Sequence, residues 1–443
     1  MKKTLKIGLF GFGCVGKGLY DILQNNTENT GFEAQILKIC VKNKEKKREI
    51  DSSFFTFDKN EILENDEINL VVELISDAEE AYQIVRKALL SGKNVVTANK
   101  KMLALHLEEL VKIQKETGTS LLYEAAACGS IPIVRTLAEY YDNELLYSVS
   151  GIFNGSSNYI LSKIANENLT YDVALRQAQG LGFAEADPTL DVAGFDPTYK
   201  LCLLAAQAYG IFVNPDEILR IGINNLKKED IDFAANYSRS NDNNQKTTNF
   251  KVKLVANILR IQSSKNRKIE NNQLLLYVLP TFIDAENPLY NVENENNAVL
   301  VEAAFSDKQT FIGKGAGGHP TGSAVLSDIS ALRYEYQYEY RKVKNVAGET
   351  PTTTEFSSTR KALAEVYLRF DENLSKKELL QNIDFKEILI ENENYIIGKI
   401  LLSELFEKRN FIEENQIFVA ISGNVEATNE EKQEKETTIS ESY

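Results

Sequence analysis

Residues 5–16 read Leu5-Lys6-Ile7-Gly8-Leu9-Phe10-Gly11-Phe12-Gly13-Cys14-Val15-Gly16. Leu5–Phe10 is apolar and closed by glycine, as a buried strand is, and Val15–Gln24 opens a helical pattern. Between them Gly11, Gly13 and Gly16 stand in Gly-x-Gly-x-x-Gly spacing. Such a loop needs glycine for a tight turn, for backbone approach to a pyrophosphate and for close helix–strand packing. The helix start then offers unpaired N–H groups to the anion. Gly11, Phe12, Gly13, Cys14, Val15 and Gly16 are therefore the candidate dinucleotide loop, with a purely structural glycine turn as the alternative. Cys14 reads as a small packing residue within it.

Working outward, strand patterns at Ile36–Val41, Leu70–Ile75, Val95–Ala98 and Ser120–Glu124 alternate with helical patterns at Ala78–Ser91 and Lys101–Thr117. This alternation predicts an α/β class with a Rossmann-type, doubly wound parallel sheet over residues 1–134. The second strand ends Cys40-Val41-Lys42-Asn43-Lys44, without the acid that would hold a ribose 2′-hydroxyl. Lys42, Lys44, Lys46 and Lys47 could instead meet a 2′-phosphate, which leans the cofactor from NAD toward NADP. Solvated lysines are the alternative.

Residues 135–330 predict an α+β unit. Helices are expected at Ile133–Tyr141, Tyr159–Glu167, Tyr171–Gly180 and Asp196–Tyr209. Strands are expected at Leu146–Phe153, Phe250–Ile261, Leu274–Ile283, Val299–Ala304 and Gln309–Gly313. Long strands there point to sheet pairing between copies, hence a homodimer or higher homo-oligomer. Asn-rich stretches at 236–248 and 263–272 read as loops or hairpin turns. Residues 345–358 read as a linker, and 361–425 as a small α+β unit. Residues 426–443, with six acids and two lysines, read as a disordered tail.

Composition excludes several classes. The 443 residues carry a net charge of −14, which disfavours nucleic acid and anionic membrane as partners. Four cysteines without CxxC spacing rule out zinc ribbons and disulfide frameworks, and His106 and His319 alone cannot build a multi-His metal site. His319 reads as a loop residue, and His106 lies on the Lys101–Thr117 helix without an evident role. The longest apolar run, Leu201–Val213, is too short for a bilayer. Lys2 and Lys3 lead straight into a strand with no apolar leader, so a cytoplasmic location is expected.

The block Gly182-Phe183-Ala184-Glu185-Ala186-Asp187-Pro188-Thr189-Leu190-Asp191-Val192-Ala193-Gly194-Phe195-Asp196 is rich in carboxylates. Asp196-Pro197 reads as an N-cap followed by proline, and Lys200 falls one turn further on the same face. Such a carboxylate and ammonium could bind an amino group and move a proton; a surface ion pair is the alternative. Gly151-Ile152-Phe153-Asn154-Gly155-Ser156-Ser157-Asn158 joins a strand to a helix with hydroxyls at the cap, able to meet a carboxylate or merely to cap. Gly313-Lys314-Gly315-Ala316-Gly317-Gly318 implies a backbone pressed close to a neighbour, with the cofactor as the expected one.

With Val96-Thr97-Ala98-Asn99-Lys100-Lys101, Tyr123-Glu124-Ala125-Ala126, Gly129-Ser130-Ile131-Pro132-Ile133 and Gly315–Asp328, these motifs resemble the homoserine dehydrogenase family over residues 5–330. The likeness is to a monofunctional form, with no kinase-like region expected ahead of residue 5. The resemblance implies NAD(P)-dependent interconversion of L-homoserine and L-aspartate 4-semialdehyde, in threonine, isoleucine and methionine biosynthesis. It implies that Glu185 and Asp196 hold the substrate's amino group, with Asp191, Asn154, Gly155 and Ser156 beside them. Lys200 would transfer the proton at the C4 oxygen, and Lys100 would lie near nicotinamide and substrate. Two neighbouring ammoniums would each disfavour the other's charge and bring an amine toward neutrality.

On the cofactor side the resemblance adds Lys42, Ser76, Thr97, Gly315 and Gly317, with part of 310–330 packing on the nucleotide unit. It also implies a monovalent cation, Na+ or K+, on Glu124 and the carbonyls of Ala127, Gly129 and Ile131. The chain departs from the family at Cys128-Gly129-Ser130, at Ser156-Ser157 and at Phe183, where tyrosine is common. Residues 361–425 have the length and strand order of an ACT module. They lack its Asp-x-Pro-Gly turn at Tyr367–Leu374, which puts threonine feedback in doubt. Two other readings are a different Rossmann oxidoreductase, acting on sugars or other amino-acid aldehydes, and a non-catalytic NAD(P) sensor. The Glu185–Lys200 block argues against the first, and Lys100, Asp196 and Lys200 against the second.

Overall fold

The computed structural model describes residues 4–25, 34–240, 246–261, 272–343 and 356–427. Its first sheet is parallel, in the order Phe55–Thr56, Ala34–Cys40, Leu5–Phe10, Leu70–Glu73, Asn94–Thr97 and Leu121–Leu122. Helices cover both faces, so the consecutive residues Ile7, Gly8, Leu9 and Phe10 are all buried rather than alternating in and out. Strand order reverses between Leu5–Phe10 and its neighbours, and a crevice opens there above the carboxyl ends. The expected parallel α/β sheet is thus present. The two-residue strand Phe55–Thr56 is too short to leave a sequence pattern.

The second sheet is mixed and long. Across it run Asp307–Lys314, Asn296–Ala303, Leu146–Ile152, Lys251–Arg260, Gln273–Ile283, Phe418–Ala427, Ala362–Arg369, Tyr395–Leu401 and Phe385–Glu391. The helices Gly155–Glu167, Phe195–Tyr209 and Lys228–Asn236 pack on Lys251–Arg260. The helix expected at Ile133–Tyr141 is instead one turn, Ile133–Arg135, followed by a π-helical turn, Thr136–Tyr140. Ser238–Ser240 and Lys246–Thr248 form a small hairpin, while 262–271 of the other Asn-rich stretch lie outside the described residues.

Most of the expected linker (344–355) and of the tail (428–443) also lies outside the described residues. Ser357–Thr359, however, is a strand pairing parallel with Gln273–Leu275, so the linker reading is corrected at that end. Residues 362–427 run β-α-β-β-α-β in the antiparallel order fourth, first, third, second, a ferredoxin-like unit. It joins the long sheet where Thr281 meets Ile421. The fully buried Arg369 also reaches across, donating to Asp230 at 2.9 Å and to the Asn225 carbonyl at 2.6 Å.

The helix Gly318–Ala331 lies against the helix Cys14–Asn25 of the first unit. The approach is backbone to backbone: a Cβ on Gly18 would stand 2.3 Å from the Gly318 carbonyl oxygen.

Candidate active site

The phosphate loop follows Leu5–Phe10 directly. Gly11 has φ +92°, and a Cβ there would stand 2.7 Å from the Leu74 carbonyl, so only glycine fits. A Cβ on Gly16 would stand 2.4 Å from the Gly11 carbonyl, while the crest at Gly13 faces open space. Phe12 anchors the loop edge-on against Tyr20 and Phe55. Gly16 is buried at the foot of the helix and Val15 is half-buried. Cys14 is exposed, correcting its reading as a packing residue: it sits at the helix start, where the chain turns outward.

Beside this loop lies a cleft of about 750 Å³, lined by Gly11, Phe12, Gly13, Lys42, Lys46, Arg48, Ser76 and Asp77 among others. Lys42 is less free than its sequence suggests. It pairs with Glu80 and stands 3.9 Å from Asp77. Arg48, which sequence reading passed over, lies over the Phe55 ring at 4.9 Å and donates to the carbonyls of Lys46 and Asn43. Its Nε is buried without a partner.

Thr97 does not reach this cleft's wall; its hydroxyl donates to Glu73 Oε2 at 2.5 Å. Glu73 is a second unforeseen group. It accepts from Ile75 N at 2.7 Å, and burial pushes its carboxyl up to about 7 against those two hydrogen bonds.

The acid-rich block converges on one carboxylate. Asp196 Oδ2 is 2.8 Å from Lys200 Nζ, and Oδ1 is 3.1 Å from Lys100 Nζ. Lys200 also donates to the Phe153 carbonyl at 2.6 Å. Asn154 Nδ2 donates to Asp196 Oδ2 at 3.0 Å and to Asp191 Oδ1 at 2.7 Å. Burial opposes ionisation of Asp196, but the two ammoniums and the Asn154 amide overcome it and hold the carboxyl well below its usual range. Burial pushes Asp191 the other way, with the Asp196 charge adding to it. The expected mutual depression of the two amines is corrected for Lys100: Asp196 lies between the ammoniums and raises it.

Asp196 is not the helix cap. Gly194, at φ +80°, caps Phe195–Tyr209, and Asp196 lies in the first turn with its side chain turned to the lysines. The cap of Gly155–Glu167 is likewise the Asn154 amide oxygen, which accepts from Ser157 N at 2.8 Å, and not a hydroxyl. Ser156 Oγ donates to the Phe183 carbonyl. Glu185 is not brought into this hydrogen-bonded group. Its side chain is exposed, and it acts on Lys100 only through space.

The third glycine turn closes the space between these two regions. Gly129, at φ +59°, would with a Cβ stand 2.4 Å from the Lys314 carbonyl and 2.5 Å from that of Gly315. Gly317 ends this turn at φ +126°, and a Cβ on Gly318 would stand 3.2 Å from Cys14 Sγ.

At the same junction Glu124 accepts from Val134 N and Arg135 N, at 2.8 and 2.9 Å. Its own N–H donates to Asp328 Oδ2 at 2.8 Å. Arg135 stands 3.7 Å from Glu124 and 3.6 Å from Asp328, whose Oδ1 is buried and without a hydrogen-bond partner. Two buried carboxyls thus face one guanidinium; burial pushes both up, Asp328 well above its usual range with the Glu124 charge adding to it, so a hard monovalent cation on these oxygens would favour their ionised forms. Of the carbonyls expected to help, that of Ile131 already accepts from Ile133 N at 2.9 Å. Among the described residues no His/Cys/Asp/Glu group could hold a transition metal, and no helix is long and apolar enough to cross a membrane.

Comparison with known proteins gives the same picture. The family profile "Homoserine dehydrogenase, NAD binding domain" matches residues 11–124, and "Homoserine dehydrogenase" matches 132–330. The homoserine dehydrogenase of Lactococcus lactis is 35% identical over 334 residues, spanning 74% of this chain and 73% of that protein. The crystal structure of a homoserine dehydrogenase from Thiobacillus denitrificans superposes with TM-score 0.75 at 27% identity, covering 95% of this chain and 99% of that one. A mutant of a hyperthermophilic archaeal homoserine dehydrogenase, in complex with NADPH, gives TM-score 0.62 at 26% identity, covering 76% of this chain and 100% of that one.

Proposed function

The chain belongs to the homoserine dehydrogenase family, and from that premise we propose how its residues divide the work. The protein is an NAD(P)-dependent oxidoreductase that interconverts L-homoserine and L-aspartate 4-semialdehyde. The nicotinamide ring, when bound, supplies or accepts the hydride.

Asp196 is the organising group, and the carboxylate held between Lys100 and Lys200 is the observation that carries the reading. The substrate's ammonium is taken by the acidic side of the site, Asp191 and Asp196, with Glu185 at its open rim. Asn154 bridges those two aspartates, its one amide nitrogen donating to both. Gly155 and Ser156 present the start of their helix to the substrate carboxylate. Lys200, fixed by Asp196 and the Phe153 carbonyl, moves the proton at the C4 oxygen. Lys100 lies between the substrate and the cofactor cleft and stabilises charge that develops on that oxygen. The test is homoserine-dependent growth of absorbance at 340 nm in the wild type and in Lys200→Ala and Lys100→Ala.

NADP is the preferred cofactor in this reading, with its 2′-phosphate met by Lys46 and Arg48. Support comes from both residues lining the cleft while Lys42 is already paired with Glu80 and Asp77. The loop 11–16 and the turn at Gly315 and Gly317 carry the rest of the dinucleotide, with Ser76 on the cleft wall; Thr97 contributes by holding Glu73. Na+ or K+ is held at the junction by Glu124 and the carbonyls of Ala127, Gly129 and Ile131, beside Asp328. Residues 1–134 and 135–330 are the nucleotide and catalytic units of a cytoplasmic homodimer, and 361–425 is an ACT-like unit.

A further inference from the structure

Asn297 lies at the start of the strand Asn296–Ala303 and is fully buried. Its amide is wedged between two glycine turns. A Cβ on Gly315 would stand 2.2 Å from the Asn297 amide carbon and nitrogen, and one on Gly155 would stand 3.5 Å from its oxygen. The side chain therefore bridges the cofactor-side turn and the substrate-side helix start. Its Nδ2 donates to the Phe153 carbonyl at 2.9 Å. That same carbonyl accepts from Lys200 Nζ at 2.6 Å.

The orientation of this amide follows from its partner. The Phe153 carbonyl can only accept, so the nitrogen must face it and the oxygen must face away. That oxygen is buried and has no hydrogen-bond partner. Buried polar atoms are seldom left so, because an unmet acceptor in a water-poor interior is unfavourable. It stands where Gly315 and Gly155 meet, and so calls for a donor from whatever binds between those turns. The substrate's ammonium has the carboxylates of Asp191 and Asp196 to turn to. The alcohol proton is present in only one of the two redox states. A primary amide N–H is a donor in both.

We propose that Asn297 is a positioning residue for the reaction, its amide nitrogen orienting the carbonyl that holds Lys200 and its free oxygen accepting an N–H of the nicotinamide carboxamide. This rests on the reading of Gly315 as a cofactor contact and of Lys200 as the proton carrier. One side chain then ties the register of the cofactor ring to the position of the proton-transferring amine.

The test compares NADP with its 3-acetylpyridine analogue, in which a methyl group replaces the carboxamide nitrogen. Calorimetric titration of the full-length wild type should show the analogue binding about 5–10-fold more weakly, the loss of one buried hydrogen bond. Asn297→Ala should weaken NADP by a similar factor and bind the two dinucleotides alike. Equal binding of both by the wild type, or an undiminished difference in Asn297→Ala, overturns the contact. Asn297→Asp, nearly isosteric, keeps an acceptor and loses the donor, and it answers the question if the alanine variant fails to fold. It should retain the discrimination and shift the pH profile of kcat for homoserine oxidation, since a carboxylate then replaces the amide beside Phe153 and Lys200. An unmoved profile overturns the link to Lys200. Absence of homoserine oxidation in the wild type is a separate failure, of the assigned reaction, and leaves the binding comparison readable.

Discussion

Lys100 and Lys200 stand on opposite oxygens of one carboxylate, at 3.1 and 2.8 Å from Asp196 Oδ1 and Oδ2, yet they differ in access: the Lys100 side chain is 41% exposed and that of Lys200 8%. The buried lysine is further fixed by the Phe153 carbonyl. The open one can follow a substrate oxygen. A fixed amine suits proton transfer, whose rate depends on a held geometry.

Lys200→Ala should lower kcat for homoserine oxidation by about 10²–10⁴, the usual span for a general acid–base group. The purified variant, followed at 340 nm with saturating cofactor, decides it. A fall of less than tenfold removes Lys200 from that role.

Asp196→Asn leaves the two ammoniums without their shared carboxylate and should destabilise the fold by about 3–5 kcal/mol near pH 7. The sign with pH follows from the depressed carboxyl. Its stabilisation is complete above the ordinary Asp range, near pH 4, and fades as pH falls below it. Urea midpoints of wild type and variant should therefore converge on acidification from pH 6 toward pH 3. A gap that stays constant would contradict the assignment.

Glu73 works in the opposite sense. Its carboxyl is raised by burial to about 7, so the folded state holds a proton that the unfolded chain releases from about pH 4.5 upward. Stability must fall as pH rises between those values, by on the order of 3 kcal/mol at pH 8. Glu73→Gln keeps an acceptor for Ile75 N and carries no charge, so its melting temperature should exceed that of the wild type at pH 8 and match it at pH 5.

Arg48→Ala should reduce kcat/KM for NADP about tenfold or more, the effect of losing a hydrogen bond to a charged group, and leave NAD nearly unchanged. The ratio of the two rates is the readout. If both cofactors suffer equally, Arg48 only shapes the loop.

Replacing Na+ and K+ by a bulky organic cation should lower both activity and melting temperature, since Glu124 and Asp328 then lose the positive charge that offsets their burial. Ligand linkage makes the midpoint rise with the logarithm of salt once the site begins to fill. Indifference of both quantities would remove the cation from the junction.

The parallel sheet was legible because glycines and apolar runs alternate with helical periods along residues 5–124. Asp196 and Lys200 were legible as a pair because a helix places i and i+4 on one face. Lys100 comes from a helix almost a hundred residues earlier, and only the family resemblance linked it to them. Asn297 left a faint signal, a polar residue opening the otherwise apolar Ala298–Val301. Glu73 ends an apolar strand in the same way. Arg48 was hidden among four lysines, and distinguishing a cleft-lining cation from a solvated one requires knowing where the loop folds. The cap at Asp196, and the hydroxyl cap expected after Asn154, were misassigned because capping residues and ligand-binding residues are the same chemical types.

The glycine contact between Gly18 and Gly318 bears on how these two elements can move. Gly18, Gly318 and Gly322 set the backbones of the helices Cys14–Asn25 and Gly318–Ala331 against each other, with Cys14 and Ile22 the nearest side chains, and so close-packed a seam has little in it to compress. Sliding or hinging of one helix past the other is therefore disfavoured, and the two should open only together.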